Sequence, residues 1–165
     1  MESKSLFYEK QYFRQWWILI IFIGINGLVL YGSITQIGMG ITFGDKPMSD
    51  MGLLILTVLL IAFTICFTIF FFLQKLVTKI DEAGIHYKFM PYHKTWRTIA
   101  WDNITTVEVK KYNPVFDYGG WGLRTGCVTM SGNKGIYVRF NNDSLMIGTK
   151  KAVEVEEVLR KLGKI

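Results

Sequence analysis

Four glycines, a tryptophan and an arginine fall within the nine residues from Tyr118 to Gly126, and this is the stretch best suited to contact a ligand. Close-set glycines let backbone N–H groups turn toward an anion, and Arg124 would reinforce that. Tyr118, Gly119, Gly120, Trp121, Gly122 and Arg124 therefore form the candidate binding loop. The segment lacks the Gly-Lys-Ser/Thr ending of a phosphate-binding loop and does not open a helix. A structural loop, in which glycines supply positive φ and Trp121 packs on the domain, accounts for the same residues and is the favoured reading.

A second group is basic. Lys75, Lys79, Lys88, Lys94 and Arg97 lie close together in sequence and are candidates to face lipid headgroups, although strand alternation would divide them between two faces. Tyr92, His93, Trp96 and Trp101 can sit at an interface as amphipathic aromatics, or the tryptophans can fill a core. The two histidines, His86 and His93, read as a solvated strand position and a loop position. Cys66 and Cys127 belong to different environments, which argues against a disulfide. With two His and no Cys pair, no zinc spacing exists, and no metal or other cofactor is expected. No Ser-His-Asp or paired-carboxylate pattern stands out, so the expectation is a non-enzyme.

The elements that must carry these residues are of two kinds. No charged residue or His lies between Arg14 and Asp45, and none lies between Asp50 and Lys75. A bilayer core about 30 Å thick needs roughly 20 helical residues to cross it, so both runs are long enough. The expected spans are about 16–37 and 51–74, forming a transmembrane helical hairpin over 16–74 after a cytoplasmic tail over 1–15. Tyr12, Phe13, Trp16 and Trp17 crowd the start of the first span as an aromatic belt would. A cleaved signal peptide fits poorly, because the apolar region is too long and no small-x-small site follows. Asn26 falls near the middle of the first span. The expected use of its amide is an interhelical hydrogen bond, with Thr64 the nearest hydroxyl and Gly24, Gly27 and Ala62 permitting close approach.

Charge sets the orientation. Lys and Arg outnumber Asp and Glu 19 to 13, and the whole excess falls after Gln74. Lys4, Lys10 and Arg14 precede the first span and Lys75 and Lys79 follow the second, whereas the connection carries only Lys46 beside Asp45 and Asp50. The positive-inside bias then places both termini in the cytoplasm, with the protein in the inner membrane. The high pI does not by itself indicate nucleic acid, and the membrane anchor argues against such a partner.

From residue 75 the hydrophobic period changes from helical to alternating. Ile85, Tyr87 and Phe89 alternate with His86, Lys88 and Met90, and Ile136, Val138 and Phe140 alternate with Tyr137 and Arg139. With turn signals between them, seven strands are expected at about 76–81, 85–90, 95–101, 104–112, 124–130, 135–140 and 144–148. One helix follows, capped by Thr149, with Val155, Val158, Leu159 and Leu162 as its apolar stripe. This order predicts a mainly β, pleckstrin-homology-like (PH-like) barrel over 75–165, closed by the C-terminal helix.

The strings Tyr118–Arg124, Gly132–Ile136, Ile147–Thr149, Ile80–Ile85 and Ile99–Ile104 resemble elements of small bacterial membrane proteins that carry a PH-like domain after two spans. The resemblance implies fold and membrane location, and it carries no reaction and no ligand residues. The functional expectation is a membrane-anchored adaptor that offers its cytoplasmic domain to a membrane or cytoplasmic protein, or to further copies of itself. The alternative is a lipid- or small-molecule-interacting accessory of a membrane enzyme or transporter.

Overall fold

The computed structural model describes residues 5–13, 15–141 and 143–165. Lys4 and Arg14, two of the charges used for the expected orientation, lie outside these residues. The chain forms two compact units, one being the apolar stretch Arg14–Phe72 and the other combining the N-terminal segment with Leu73–Ile165.

The second unit begins with a correction. Part of the expected N-terminal tail is strand β1, Phe7–Tyr12. Its partner is β2, Lys75–Ile80, in antiparallel register from Phe7↔Ile80 to Tyr12↔Lys75. The cause is visible in the alternation: Phe7, Glu9 and Gln11 are buried while Tyr8, Lys10 and Tyr12 are exposed. Tyr12 is thus an exposed strand residue that ends β1 four residues before the first apolar helix. The entire apolar unit is inserted into what would otherwise be a β-hairpin.

Strands β3 (Gly84–Met90) and β4 (Arg97–Ala100) complete an antiparallel sheet of order β1-β2-β3-β4. Period-2 geometry gives this sheet two unlike faces. Leu76, Ile80, Ile85, Phe89 and Ile99 are buried on the inner one. Registers Val77↔Lys88 and Lys79↔His86 put Lys75, Lys79 and Lys88 together on the other, along with Tyr8, Lys10 and Tyr12.

A corner at Trp101–Asn103, of which Trp101 alone is buried, leads into the second sheet, with the Trp101 indole donating to the Asp81 carbonyl at 2.9 Å. That sheet contains β5 (Ile104–Lys111), β6 (Gly122–Arg124), β7 (Cys127–Thr129), β8 (Lys134–Phe140) and β9 (Asp143–Gly148), in the order β5-β8-β9-β7-β6. The single strand expected at 124–130 is two strands. Gly126, at φ 72°, turns the chain so that Arg124 pairs with Cys127. Strand β7 then runs parallel to β9.

The expected closed barrel does not form. There are two open sheets, and among the described residues no strand ladder joins them. Open edges invite unwanted pairing, and here two of the four edge strands are short and a third is clamped. Strands β4 and β6 have four and three residues. Edge strand β1 is clamped by side chains: Gln11 donates to the Gly148 carbonyl at 2.7 Å, and buried Glu9 accepts from the Thr149 hydroxyl at 2.6 Å and the Lys150 N–H at 3.0 Å. Helix α4, Ala152–Lys161, packs along β5, β8 and β1 with Val155 and Leu159 fully buried. Thr149 does not cap α4 in the expected way. Its oxygen accepts from the Lys151 N–H, one residue before the helix, while its proton goes to Glu9.

In the apolar unit, α1 (Trp16–Ser33) continues through a π-helical turn at Ile34–Gly38, and α2 covers Asp50–Leu73. Both helices are long and apolar enough to cross a membrane. A polar seam joins them. Asn26 Nδ2 donates to Thr64 Oγ1 at 2.8 Å, Ser33 and Thr57 hydroxyls meet at 2.6 Å, and Gln36 donates to Asp50 at 2.8 Å. The step from Asn26 to Ser33 and that from Thr57 to Thr64 are each two helical turns, so the pairs stack along one antiparallel stripe. Phe22 packs on Phe67 with ring centroids 4.9 Å apart. Gly24 and Gly27 do not make the expected close approach, since a Cβ at either would meet nothing within 4 Å. Gly32 is instead packed against the connection between the helices, where a Cβ would lie 2.6 Å from the Phe43 ring.

Candidate binding cleft

The candidate binding loop starts from a short helix, α3, Pro114–Tyr118. Asn113 caps it by accepting from Val115 N and Phe116 N, and Asp117 returns the bond by accepting from Asn113 N at 2.7 Å. Gly119 ends the helix in the left-handed region, φ 69°. Its N–H donates to the Val115 carbonyl, and that of Gly120 to the Pro114 carbonyl. Those two donors are therefore committed to the helix end and cannot form the anion cradle that the glycine spacing suggested.

The remaining loop residues part company. The Tyr118 ring packs edge-on against Tyr112, beside Cys127 and Met146. Burial pushes the Tyr112 phenol up to about 12 and raises the Tyr118 phenol and the Cys127 thiol, so this cluster stays protonated and serves as core. Half-buried Trp121 donates from its indole to the Gly132 carbonyl at 3.1 Å, tying the loop to the next turn. Gly122 opens β6 at φ 122°. Arg124, at the end of β6, pairs with Cys127 and turns its guanidinium back toward Gly119 and Gly120, while β6 itself borders a cleft.

That cleft has a volume of about 620 Å³ and is walled by residues from both sheets. Arg97 and Ile99 on β4 and His93 in the preceding loop form one side, and Leu123 and Arg124 on β6 and Asp143 on β9 form the other. Neither Arg97 nor Arg124 has an ion pair or hydrogen bond among the described residues. Asp143 Oδ1 accepts from the Ser144 N–H at 2.7 Å. His93 is buried, not solvated, and its Nδ1 accepts from the Phe89 N–H at 3.3 Å. The neutral ring therefore carries its proton on Nε2. Burial, followed by the nearby positive charge of Arg97, holds His93 below the usual imidazole range.

The five basic candidates do not act together. Lys75, Lys79 and Lys88 share the outer face of the first sheet, Lys94 is exposed in the loop before β4, and Arg97 lines the cleft. Trp101 is core, while Trp96 and Tyr92 are largely exposed.

His86 is drawn into a chain of contacts on the outer face that its isolated position in the sequence does not reveal. Its Nε2 meets Asp81 Oδ1 at 2.9 Å and its Nδ1 meets Thr98 Oγ1 at 2.8 Å. A carboxylate only accepts, so the ring donates from Nε2 to Asp81, and Nδ1 bonds the Thr98 hydroxyl. Carboxylate, imidazole and hydroxyl in line is an arrangement that can activate an oxygen nucleophile. Here the buried carboxylate also holds Lys79 at 3.1 Å and the Ala83 N–H at 2.9 Å. Those extra partners fix the Asp81–Gly84 turn, and they make the chain a brace between β2, β3 and β4.

Arg97 and Leu123, 26 residues apart in the chain, are brought to one cleft only by the packing of the two sheets. The Glu9 clamp has one sequence signal, the strict alternation from Phe7 to Tyr12. Its inward polar residues invert the usual pattern, and that conceals the strand. Among the described residues no group of His, Cys, Asp and Glu is arranged to hold a metal ion. No protein-family model, no curated protein and no solved structure matches the chain.

Proposed function

We propose that this protein is a membrane-anchored, non-enzymatic binding module, in which two spans tether a PH-like domain to the cytoplasmic face of the inner membrane. The observation that carries the reading is the β1–β2 ladder. A strand before the first apolar helix pairs with a strand after the second, so both must lie on one side of any bilayer those helices cross. That requirement is independent of charge and agrees with an even number of spans. The basic outer face of the first sheet supports the cytoplasmic side, because anionic leaflets attract nearby Lys by about 1 kcal/mol each. An antiparallel four-stranded sheet, a second sheet and a C-terminal amphipathic helix favour the PH-like assignment.

A protein partner is favoured by α3, where Val115 is exposed and Phe116 is 88% exposed at the tip of a rigidly capped turn. Solvent-facing aromatics of this kind are preferred anchors at protein interfaces. The accessory reading, with a lipid or small molecule as ligand, is favoured by the cleft.

Two measurements test the module. Tags at Met1 and Ile165 should be reached only from the cytoplasmic side, and a tag near Lys46 only from outside. A photo-crosslinker at Phe116 in membranes at native expression should give one discrete adduct, either to another protein or to a second copy. A periplasmic C-terminus would overturn the topology, and no adduct above background would remove the protein-partner reading.

A further inference from the structure

The cleft between the sheets is bordered by the edge of a strand and not by one face of a sheet. Arg97, Thr98 and Ile99, three consecutive residues of β4, all line it. Alternation puts Arg97 and Ile99 on the inner face, whereas the Thr98 hydroxyl meets His86 on the outer one. Thr98 therefore borders the cleft through its main chain. The hydrogen-bond parity agrees. The Trp101 N–H donates to the Ala83 carbonyl at 3.3 Å. Counted by twos from that pair, Ile99 and Arg97 bond to Ile85 and Tyr87, and the N–H and carbonyl of Thr98 turn away from β3. Strand β4 is the last of its sheet, and neither of those two groups has a partner among the described residues. Across the cleft stands β6, the edge strand of the other sheet, with Leu123 paired to buried Val128. Asp143, the acidic residue of the lining, belongs to that far wall.

We propose that the β4 edge takes up an extended segment of a partner protein as an added antiparallel strand, with an apolar residue opposite Ile99 and, two residues later, an acidic residue opposite Arg97. In strand addition the unpaired main-chain groups supply affinity, and side chains at alternate positions supply the choice of sequence. The residue between the two bonds to the Thr98 N–H and carbonyl. The apolar side chain faces Ile99, Leu123 and Val128. The acidic one makes a cross-strand pair of opposite charge with Arg97, which has no ion pair among the described residues, beside the His93 Nε2–H. Lys94, exposed in the loop before β4, adds to the positive charge. A second copy of the chain is a poorer occupant. Its β4, added antiparallel about Thr98, sets each Arg97 against an Ile99 and offers no acid. The inference rests on the binding-module reading, and it gives the partner a contact separate from the one at Phe116.

The test uses the full chain in a non-ionic detergent and short, end-capped fluorescent peptides. One has Val-Thr-Glu at its centre, a second the reverse order Glu-Thr-Val, and a third Val-Thr-Lys. Anisotropy gives the affinity, and hydrogen exchange resolved at single amides gives the place. The Val-Thr-Glu peptide should bind saturably, about tenfold or more tighter than either of the others, and should slow exchange at the Thr98 N–H. N-methylation of its central Thr removes the N–H that the Thr98 carbonyl accepts. That should weaken binding by about tenfold or more with no change to the protein. Arg97→Glu should reverse the preference, making Val-Thr-Lys the tighter peptide, and an unfolding midpoint matched to the parent shows that the variant keeps its fold. No saturable binding of Val-Thr-Glu, equal binding of its N-methylated form, or unchanged exchange at Thr98 overturns the proposal. If exchange at Thr98 is slow without peptide and quickens on dilution, a second copy covers the edge and the proposal also falls. A chain that gives the Phe116 adduct but binds no peptide refutes the edge site and leaves the module standing. A chain that binds the peptide but gives no adduct keeps the edge site and removes the Phe116 contact.

Discussion

Replacing Glu9 by Ala should destabilise the β domain although Glu9 lies before the first apolar helix and its contacts lie some 140 residues away. Glu9 is 5% exposed, and its carboxylate accepts from the Thr149 hydroxyl at 2.6 Å and from the Lys150 N–H at 3.0 Å. A hydrogen bond to a charged group contributes about 1.5–3 kcal/mol, and a buried donor left without its acceptor costs about 1–3 kcal/mol. Thr149 is 2% exposed, so its hydroxyl would lose its one acceptor among the described residues, whereas Lys150 is at the surface and its N–H can turn to water. The two bonds share one carboxylate and do not add fully, which gives a loss of about 2–4 kcal/mol. Domain stabilities are about 5–15 kcal/mol, so the change is a large fraction. Glu9→Gln keeps one acceptor oxygen and should lose about half as much. The assay is denaturant unfolding of the full chain in detergent, combined with hydrogen exchange resolved at β1 and at the first turn of α4. Glu9→Ala should speed exchange at both places. A loss below about 0.5 kcal/mol, or a loss with unchanged exchange at Lys151–Val155, would refute the clamp.

Three further outcomes follow from the same geometry. Residues 75–165 alone lack β1 and should fail to unfold cooperatively, whereas Phe13 joined to Gln74 through an Asn-Gly turn should restore a sharp transition, because Tyr12 and Lys75 are already paired. A cooperative 75–165 fragment as stable as the joined domain would contradict the role of β1. His93 is held below its unfolded value of about 6.5, so it contributes stability above that pH that is lost as pH falls through it toward the folded value. The unfolding midpoint should drop between pH 7 and pH 5, and less so in His93→Asn, whose side-chain oxygen can still accept from Phe89 N–H; equal drops would exclude His93 as the source. Asn26→Leu removes the 2.8 Å bond to Thr64 and should weaken the hairpin by about 0.6 kcal/mol and at most about 2, leaving the β domain unaltered. Loss of a biological activity with protein level and topology intact would instead make Asn26 a functional residue.

Much of the architecture is legible in the residues because it depends on local composition. Two uncharged runs of more than 20 residues dictate two apolar helices whatever surrounds them, and helices Trp16–Gly38 and Asp50–Leu73 follow them closely. Alternation locates β3, β5 and β8, and the stripe through Val155 and Leu159 locates α4. Even the Asn26–Thr64 pair can be anticipated, since two antiparallel helices of similar length bring their midpoints level.

What failed to show in the sequence depends on pairing at a distance. Phe7–Tyr12 reads as a tail because its inward Glu9 and Gln11 look solvent-facing until Gly148, Thr149 and Lys150 are brought to meet them. Alternation gives each strand two faces but does not say which strands pair, so it predicts neither two open sheets nor the parallel contact of β7 with β9. The same limit explains the basic residues. Lys75, Lys79 and Lys88 fall on one face only because Val77 is opposite Lys88, a registry fixed by the turn at Asp81–Gly84. The chain by itself determined two apolar helices, a β-rich basic domain and an amphipathic end. Tertiary structure alone decided that the β domain is built from both sides of the hairpin and that Arg97 meets Leu123 and Val128 at one cleft, because sheet packing, not sequence spacing, sets which side chains converge.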